Sequence, residues 1–244
     1  MARRRFFVPD VRRGAAELTG ADAEHLVRVL RVEAGQVFEL SDNQDLYLAE
    51  VETARKSQVA FRILEKLQAP DAAVEITLVA ALIKFDRFEW LVEKATELGV
   101  AAIQPFEAAR TERGLAAAAV KRTARWEKIA LEASQQSRRA HLPRIEPAIR
   151  SERALELEAD IRLLLDESTD APPILRALPE ARSSNDRVAL LSGPEGGWTE
   201  EERQKALDAG WHRCSLGATI LRAETAALAG LAVIQAAWAA VKAD

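Results

Sequence analysis

A two-part chain, a small β-rich domain followed by a larger α/β domain, is predicted by three features of these 244 residues. The first seventy residues carry short β-type runs with one helical pattern among them. The stretch Gln68-Ala-Pro-Asp-Ala72 then reads as a linker, because Pro and small residues interrupt regular structure. From Val74 onward strand-like and helix-like runs alternate, the pattern of a parallel sheet covered by helices. Boundaries at 1–70 and 73–244 follow.

In the first part, Phe6–Val8, Gln36–Leu40, Leu46–Val51 and Gln58–Leu64 read as strands, rich in β-branched and aromatic residues or alternating in polarity. Thr19–Arg31 reads as a helix, with Thr19 and Asp22 as cap candidates and Leu26, Val29 and Leu30 at helical spacing. Together they suggest a small β-barrel with an inserted helix. In the second part, Val74–Ile83 is a continuous apolar run of buried-strand type. Asp86–Leu98 puts Phe88, Leu91, Val92, Ala95 and Leu98 on one face, with Gly99 placed to end the helix. Val100–Phe106 is the next strand, and Ala116–Arg138 reads as one long helix with Val120, Ala124 and Ile129 inward. Arg162–Leu165, Arg187–Leu191 and Trp211–Leu216 read as strands, and Thr199–Ala209 as a helix capped by Thr199. The last helix, Ala223–Val241, repeats Ala227, Leu231, Ile234, Trp238 and Val241 along a seam that also holds Gly230. That seam suits packing on its own sheet or a symmetric contact with a second copy.

Composition removes several classes. A hydrophobic fraction of 48% and a charged fraction of 30% are those of an ordinary globular chain. No stretch approaches the roughly 18 apolar residues of a membrane span, and the arginines at 3–5 have no apolar run of signal-peptide type behind them. The single Cys214 excludes an internal disulfide and fits a reducing cytoplasm. Three scattered histidines offer no ligand cluster, so no metal is expected. The net charge of −4 hides local asymmetry: Arg110–Arg144 holds nine basic residues against three acidic, whereas Ser151–Arg182 holds four against eight. Local patches steer polyanions whatever the total charge, so a nucleic-acid partner is compatible with this chain. The alternative is that Lys121–Lys128 is only the solvated face of a helix.

Two turns carry the chemistry. Ser192-Gly-Pro-Glu-Gly-Gly197 follows one apolar strand, and Leu216-Gly-Ala-Thr-Ile-Leu-Arg-Ala-Glu-Thr225 follows the next. Open parallel sheets bind ligands at the carboxyl ends of their strands, where both turns fall. No phosphate-binding G-x-x-x-x-G-K-[ST], dinucleotide G-x-G-x-x-G or hydrolase G-x-S-x-G pattern is present. Arg222 and Glu224 would be costly to bury alone, so at this junction they call for a ligand or for each other.

These turns, taken together, closely resemble those of the bacterial small-subunit ribosomal RNA uridine-N3 methyltransferases (the RsmE type), which belong to the SPOUT superfamily. The resemblance extends over nearly the whole chain: Arg5-Phe6, His25, Val29-Leu-Arg31, Gly35 and Asp42; then Lys84, Glu89, Lys94, Glu97-Leu-Gly-Val100 and Pro105; then Trp126-Glu-Lys-Ile-Ala130 and Pro143. Departures are Gln135 in place of an acid before Gln136, Ala218-Thr219 in place of Pro-Arg, and no glycine beside Asp42.

The resemblance implies a knotted α/β methyltransferase domain (SPOUT, with a trefoil knot near the C-terminus) preceded by a PUA-like RNA-binding β-barrel. It implies S-adenosyl-L-methionine as cofactor, held through backbone groups of Leu191, Ser192, Gly193, Pro194, Glu195, Gly196, Gly197, Leu216, Gly217, Ile220 and Leu221, and by Thr225. It implies methylation of N3 of a specific uridine, uracil1498, in 16S rRNA of the small ribosomal subunit. Arg222 is then the expected stabiliser of the uracil anion, and Glu224 either orients Arg222 or assists proton removal. Thr225 is expected mainly to cap the last helix. Arg5, Arg31, Arg110, Glu112, Arg113, Gln136 and Arg139 are the expected RNA contacts. A cytoplasmic homodimer built through the knot domain completes the picture. Two other readings stay open: a non-catalytic rRNA-binding assembly factor, and a methyltransferase of the same superfamily acting on another RNA.

Overall fold

A computed structural model describes residues 4–241. Residues 1–3 and 242–244, which include the outer ends of both expected domains and Arg3 of the N-terminal arginine run, lie outside the described residues. The chain divides into two compact units, one formed by Met1–Asp71 with Leu131–Leu142, the other by Ala72–Ala130 with Pro143–Asp244.

The first unit holds β1 (Arg5–Phe7), β2 (Val11–Arg12), β3 (Ala15–Thr19), α1 (Gly20–Arg28), β4 (Val37–Ser41), β5 (Leu46–Arg55) and β6 (Gln58–Leu67). They form a six-stranded sheet in the order β1-β4-β5-β6-β3-β2, in which β1 and β4 run parallel and the other pairs antiparallel. The edge strands β1 and β2 are joined by residues 8–10 alone, a reach of about 13 Å at most, so the sheet must curl on itself. Alternation sorts the two faces: Ala16 and Leu18 of β3 point inward while Glu17 is exposed. They meet Phe6, Leu40, Ala49, Val51, Val59 and Phe61 in one core, closed by Ala23 and Leu26 of α1. Val29, expected inward, is 64% exposed, because the helix ends at Arg28 and the chain has left its register. β2 and β3 are additional to the expected strands; the two residues of β2 are too few to show a period.

A later segment completes this unit. Arg138, in a left-handed conformation (φ +58°), follows the C-terminal end of a helix and bonds Glu39 from Nη2 at 3.1 Å. The Ser41 hydroxyl donates to the Ala140 carbonyl at 2.6 Å, and the Leu142 amide donates to the Asn43 side chain at 2.7 Å.

The second unit opens with β7 (Glu75–Ala81), α2 (Phe85–Glu97) and β8 (Ala102–Glu107). Next come α3 (Leu115–Ala119), α4 (Thr123–Ser137, its last residues in the first unit), β9 (Arg144–Ile145), β10 (Ile149–Arg150) and α5 (Ser151–Leu155). It ends with β11 (Ile161–Leu165), α6 (Ile174–Ala177), β12 (Arg187–Ser192), α7 (Glu200–Asp208), β13 (His212–Cys214) and α8 (Ala223–Ala239). Seven strands form one sheet in the order β10-β8-β7-β12-β11-β13, with β9 also on β8, every pairing parallel. Ile76 and Leu78 of β7, Leu163 and Leu165 of β11, and Val188 and Leu190 of β12 face a core shared with α2 and α8. Val79, Leu164, Ala189 and Leu191 face the opposite core, with Trp198, Ala206 and Trp211. A sheet buried on both faces explains why these strands read as unbroken apolar runs.

The expected long helix at 116–138 is two helices. The break at 120–122 leaves Val120 74% exposed and turns Ala124 outward, whereas Ile129 packs against the core as expected, beside the buried Trp126 and Ala130. The seam of α8 packs within its own chain: Ala227, Leu231, Ile234 and Trp238 are buried against α2 and the sheet, while Val241 remains 45% exposed. A Cβ at Gly230 would stand 3.0 Å from Leu190, so the close approach made there is to the sheet.

Candidate active site

A cavity of about 460 Å³ opens at the carboxyl ends of β11, β12 and β13. Both glycine-bearing turns line it. Residues 192–198 form one wall, residues 214–217 and 219–223 with Ala226 another, and Leu165, Asp166, Glu167 and Arg87 complete it.

The first turn is shaped by close packing. A Cβ at Gly193 would lie 2.9 Å from the ring of Trp198. That ring stacks on Phe106 and donates its indole N–H to the Leu165 carbonyl at 2.8 Å. Gly197 takes φ +68°, a region that favours glycine, and a Cβ there would stand 2.6 Å from Glu167 Oε1. Immediately afterwards Thr199 caps α7: its hydroxyl accepts from the Glu202 amide at 3.1 Å, and the Glu202 side chain accepts from the Thr199 amide at 2.9 Å. Glu202 also accepts from the Ala109 amide, and Arg110 donates to the carbonyls of Gly196 and Trp198 at 2.8 and 3.2 Å. On the cavity side Glu195 is ion-paired with Arg87, from the first turn of α2.

The second turn is tied by a parallel bridge between Pro173 and Ser215, the Ser215 amide donating to the Pro172 carbonyl at 2.8 Å. Arg222 is the exposed, extended N-cap residue of α8. Glu224 is buried at 6%, and its Oε2 has no hydrogen-bond partner. No ion pair joins it to Arg222 among the described residues.

A third group, which sequence reading missed, lies at the end of β11. The Asp166 side chain is fully buried and accepts from Arg213 Nε (2.7 Å), Arg203 Nε (3.3 Å) and the Ser168 amide (3.0 Å). Arg203 also bonds Glu167 at 3.0 Å, and Arg213 bonds Asp170 at 2.7 Å. Hydrogen bonding from Arg213 and Ser168 holds the Asp170 carboxyl well below its usual range. The cluster draws on β11, α7 and β13, too far apart in sequence for spacing to show it. Cys214 lines the cavity from its base, and burial, with the nearby Asp166 charge, pushes its thiol up to about 12.

Ten of the twelve residues expected to hold a cofactor line this cavity: Ser192, Gly193, Pro194, Glu195, Gly196, Gly197, Leu216, Gly217, Ile220 and Leu221. Leu191 does not; strand alternation turns its side chain into the core beneath α7, so only its backbone could serve the contact expected of it. Thr225 does not either. It sits exposed in the first turn of α8, and the N-cap position expected for it belongs to Arg222. Arg222 lines the cavity and Glu224 does not. Among the expected RNA contacts, Arg110, Glu112 and Arg113 are exposed in the second unit, Arg31 and Gln136 in the first. Arg139 is half-buried and donates to the His141 carbonyl at 3.0 Å; burial lowers its guanidinium to about 10. Arg5 contradicts its expectation. It is 6% exposed, and its guanidinium bonds Glu39 and the Arg138 carbonyl, so it serves the interior of its unit.

Comparison with known proteins places this architecture. Residues 70–235 match the model of an RNA methyltransferase domain, and residues 18–64 that of an RNA methyltransferase PUA domain. The chain belongs to this RNA methyltransferase family. Ribosomal RNA small subunit methyltransferase E of Bacillus subtilis (strain 168) is 31% identical over 226 residues, 89% of this chain and 88% of that protein. The protein of the same name from Synechocystis sp. (strain ATCC 27184 / PCC 6803 / Kazusa) is 33% identical, covering 90% of this chain and 72% of the relative. The crystal structure of the Neisseria gonorrhoeae methyltransferase of that name, bound to S-adenosyl methionine, superposes with a TM-score of 0.86 at 31% identity, covering 97% of this chain and 98% of that one.

Proposed function

We propose that this chain uses S-adenosyl-L-methionine to methylate N3 of a specific uridine in 16S rRNA of the small ribosomal subunit. The observation that carries the reading is the cavity between the two glycine turns, with Arg222 at its exposed edge. Its volume lies in the range of small-molecule sites, about 300–1,000 Å³. Its lining offers cations (Arg87, Arg222), carboxylates (Asp166, Glu167, Glu195) and apolar walls (Pro194, Leu216, Leu221, Ala223). That mixture fits a ligand with an aromatic base, a hydroxylated sugar and an amino-acid tail bearing both charges. When bound, the cofactor supplies an activated methyl group.

The protein's own part is to align the acceptor and manage its charge. N3 of uracil becomes nucleophilic as it loses its proton, and negative charge then spreads onto the flanking carbonyl oxygens. Arg222 is placed to stabilise that charge. The amino end of the 17-residue α8, where Arg222 stands, adds a favourable dipole. Glu224 makes no bond to Arg222 and does not line the cavity, so neither of its two expected roles enters the proposal, and the proton acceptor is left unassigned.

N3 is hidden in a paired base, so the target must be unpaired or extruded. Arg31, Arg110, Glu112, Arg113, Gln136 and Arg139 are the proposed RNA contacts, with the curled β-sheet unit as an RNA-binding module. Arg110 already abuts the first turn through Gly196. We further propose a trefoil knot in the second unit and a cytoplasmic homodimer assembled through it. Strand order supports the knot: β12 pairs between β7 and β11, the chain then crosses to β13 on the far side of β11, and α8 returns over β12.

N3 methylation blocks Watson–Crick pairing, so reverse transcription across 16S rRNA gives the test. A stop present in cells with the gene should vanish on its deletion and return on complementation. A stop that persists in the deletion strain overturns the assignment of target.

A further inference from the structure

The cavity holds three carboxylates, and their bonding states differ. Asp166 is saturated by two guanidinium groups and a backbone amide, with its side chain fully buried. Glu195 is ion-paired with Arg87. Glu167 is 39% exposed and bonds Arg203 through Oε1 alone, leaving Oε2 without a partner among the described residues. Its Oε1 lies where Gly197 has only a hydrogen, so the carboxylate is packed against the bare bend of the first turn.

We infer that Glu167 is a ligand-binding residue whose carboxylate accepts hydrogen bonds from the vicinal hydroxyls of a nucleoside ribose in this cavity. The inference rests on the cofactor reading above and adds a recognition group to it. A carboxylate is an acceptor only, so its partner must donate. The donors offered by such a ligand are the ribose hydroxyls, the exocyclic amine of its base and an ammonium group. Of the neutral ones, a vicinal diol sets two donors side by side for one carboxylate, and the dideoxy arm of the test below separates it from the amine. Arg203 argues against the ammonium: its guanidinium is already 3.0 Å from this carboxylate and bonds Asp166 and Glu200 as well. A second cation here would meet a carboxylate already half-neutralised and the repulsion of that guanidinium. A neutral diol meets no such repulsion and gains charge-assisted bonds.

Calorimetric binding of S-adenosylhomocysteine and its 2′,3′-dideoxy analogue to the wild type and to Glu167→Gln tests this. Two groups that bond each other give losses that do not add. We expect at least a tenfold loss of affinity from Glu167→Gln with the natural ligand, a similar loss in the wild type from the missing hydroxyls, and little further loss when both are changed. Unchanged affinity in the variant, or losses that multiply, overturns the inference while leaving the cofactor site standing. No binding by the wild type overturns the cofactor reading itself. Thermal unfolding of the variant controls for its Arg203 contact, and a general loosening of α7 would weaken both ligands equally, which is the multiplying outcome.

Discussion

Arg222 and Cys214 line the same cavity and should behave in opposite ways. Arg222 is exposed at the edge, so Arg222→Ala removes a charge without opening a hole. Losing one stabiliser of a developing anion costs about 10²–10³ in rate. We predict a fall of that size in single-turnover methyl transfer to 16S rRNA, with cofactor affinity within a few-fold of the wild type. Near-normal turnover would mean that another group stabilises the uracil anion. Cys214 is fully buried, with its thiol raised to about 12, and the thiolate is the reactive form. It should stay inert to a thiol reagent at pH 8 until denaturant is added. Rapid labelling of the native protein would show that the base of the cavity opens.

Among the elements, α7 and the β1–β4 pair offer separate tests. Thr199→Ala removes the capping box of α7, a loss of about 0.5–2 kcal/mol, to be read as a lower urea midpoint. Glu39 lies in the first unit. Burial opposes its charge, but hydrogen bonds and ion pairing with Arg5 and Arg138 prevail, and its carboxyl sits below the usual 4.5. A folded-state value that is depressed contributes stability above the unfolded value, and this is lost as pH falls through the lower folded one. Protection of the β1 and β4 amides, taken relative to the intrinsic exchange rate at each pH, should therefore decline as pH falls below about 4.5, and Glu39→Gln should remove that dependence. The elements also show how far the sequence could be read. β7, β12, α2 and α8 announce themselves because burial on one or both faces imposes a long apolar signature. β2, β9 and β10, two residues each, are too short to carry a period. The break between α3 and α4 is not legible locally, because Ala116–Ala119 and Val120 suit an uninterrupted helix. In the site, the two turns were legible as glycine patterns, whereas the Asp166–Arg203–Arg213 cluster depends on strand order, which no local pattern encodes.

For the whole molecule, a net charge of −4 coexists with a local excess of six positive charges between Arg110 and Arg144. If phosphates are gripped there, affinity for 16S rRNA should fall steeply with salt, log K declining in proportion to the number of contacts. Arg113→Ala should flatten that slope by about one unit without changing which uridine is modified; an unaltered slope would remove Arg113 from the contacts. The first unit is also not a continuous stretch of chain. Segment 131–142 supplies the partners of Glu39, Ser41 and Asn43. A recombinant piece ending at Asp71 would lack them and should be poorly soluble or partly unfolded, however self-sufficient its strands look. The same arrangement predicts that a nascent amino-terminal module gains its last ties only when a segment some sixty residues beyond Asp71 has left the ribosomal tunnel, and protease resistance reached by ribosome-stalled chains ending soon after Asp71 would overturn that order.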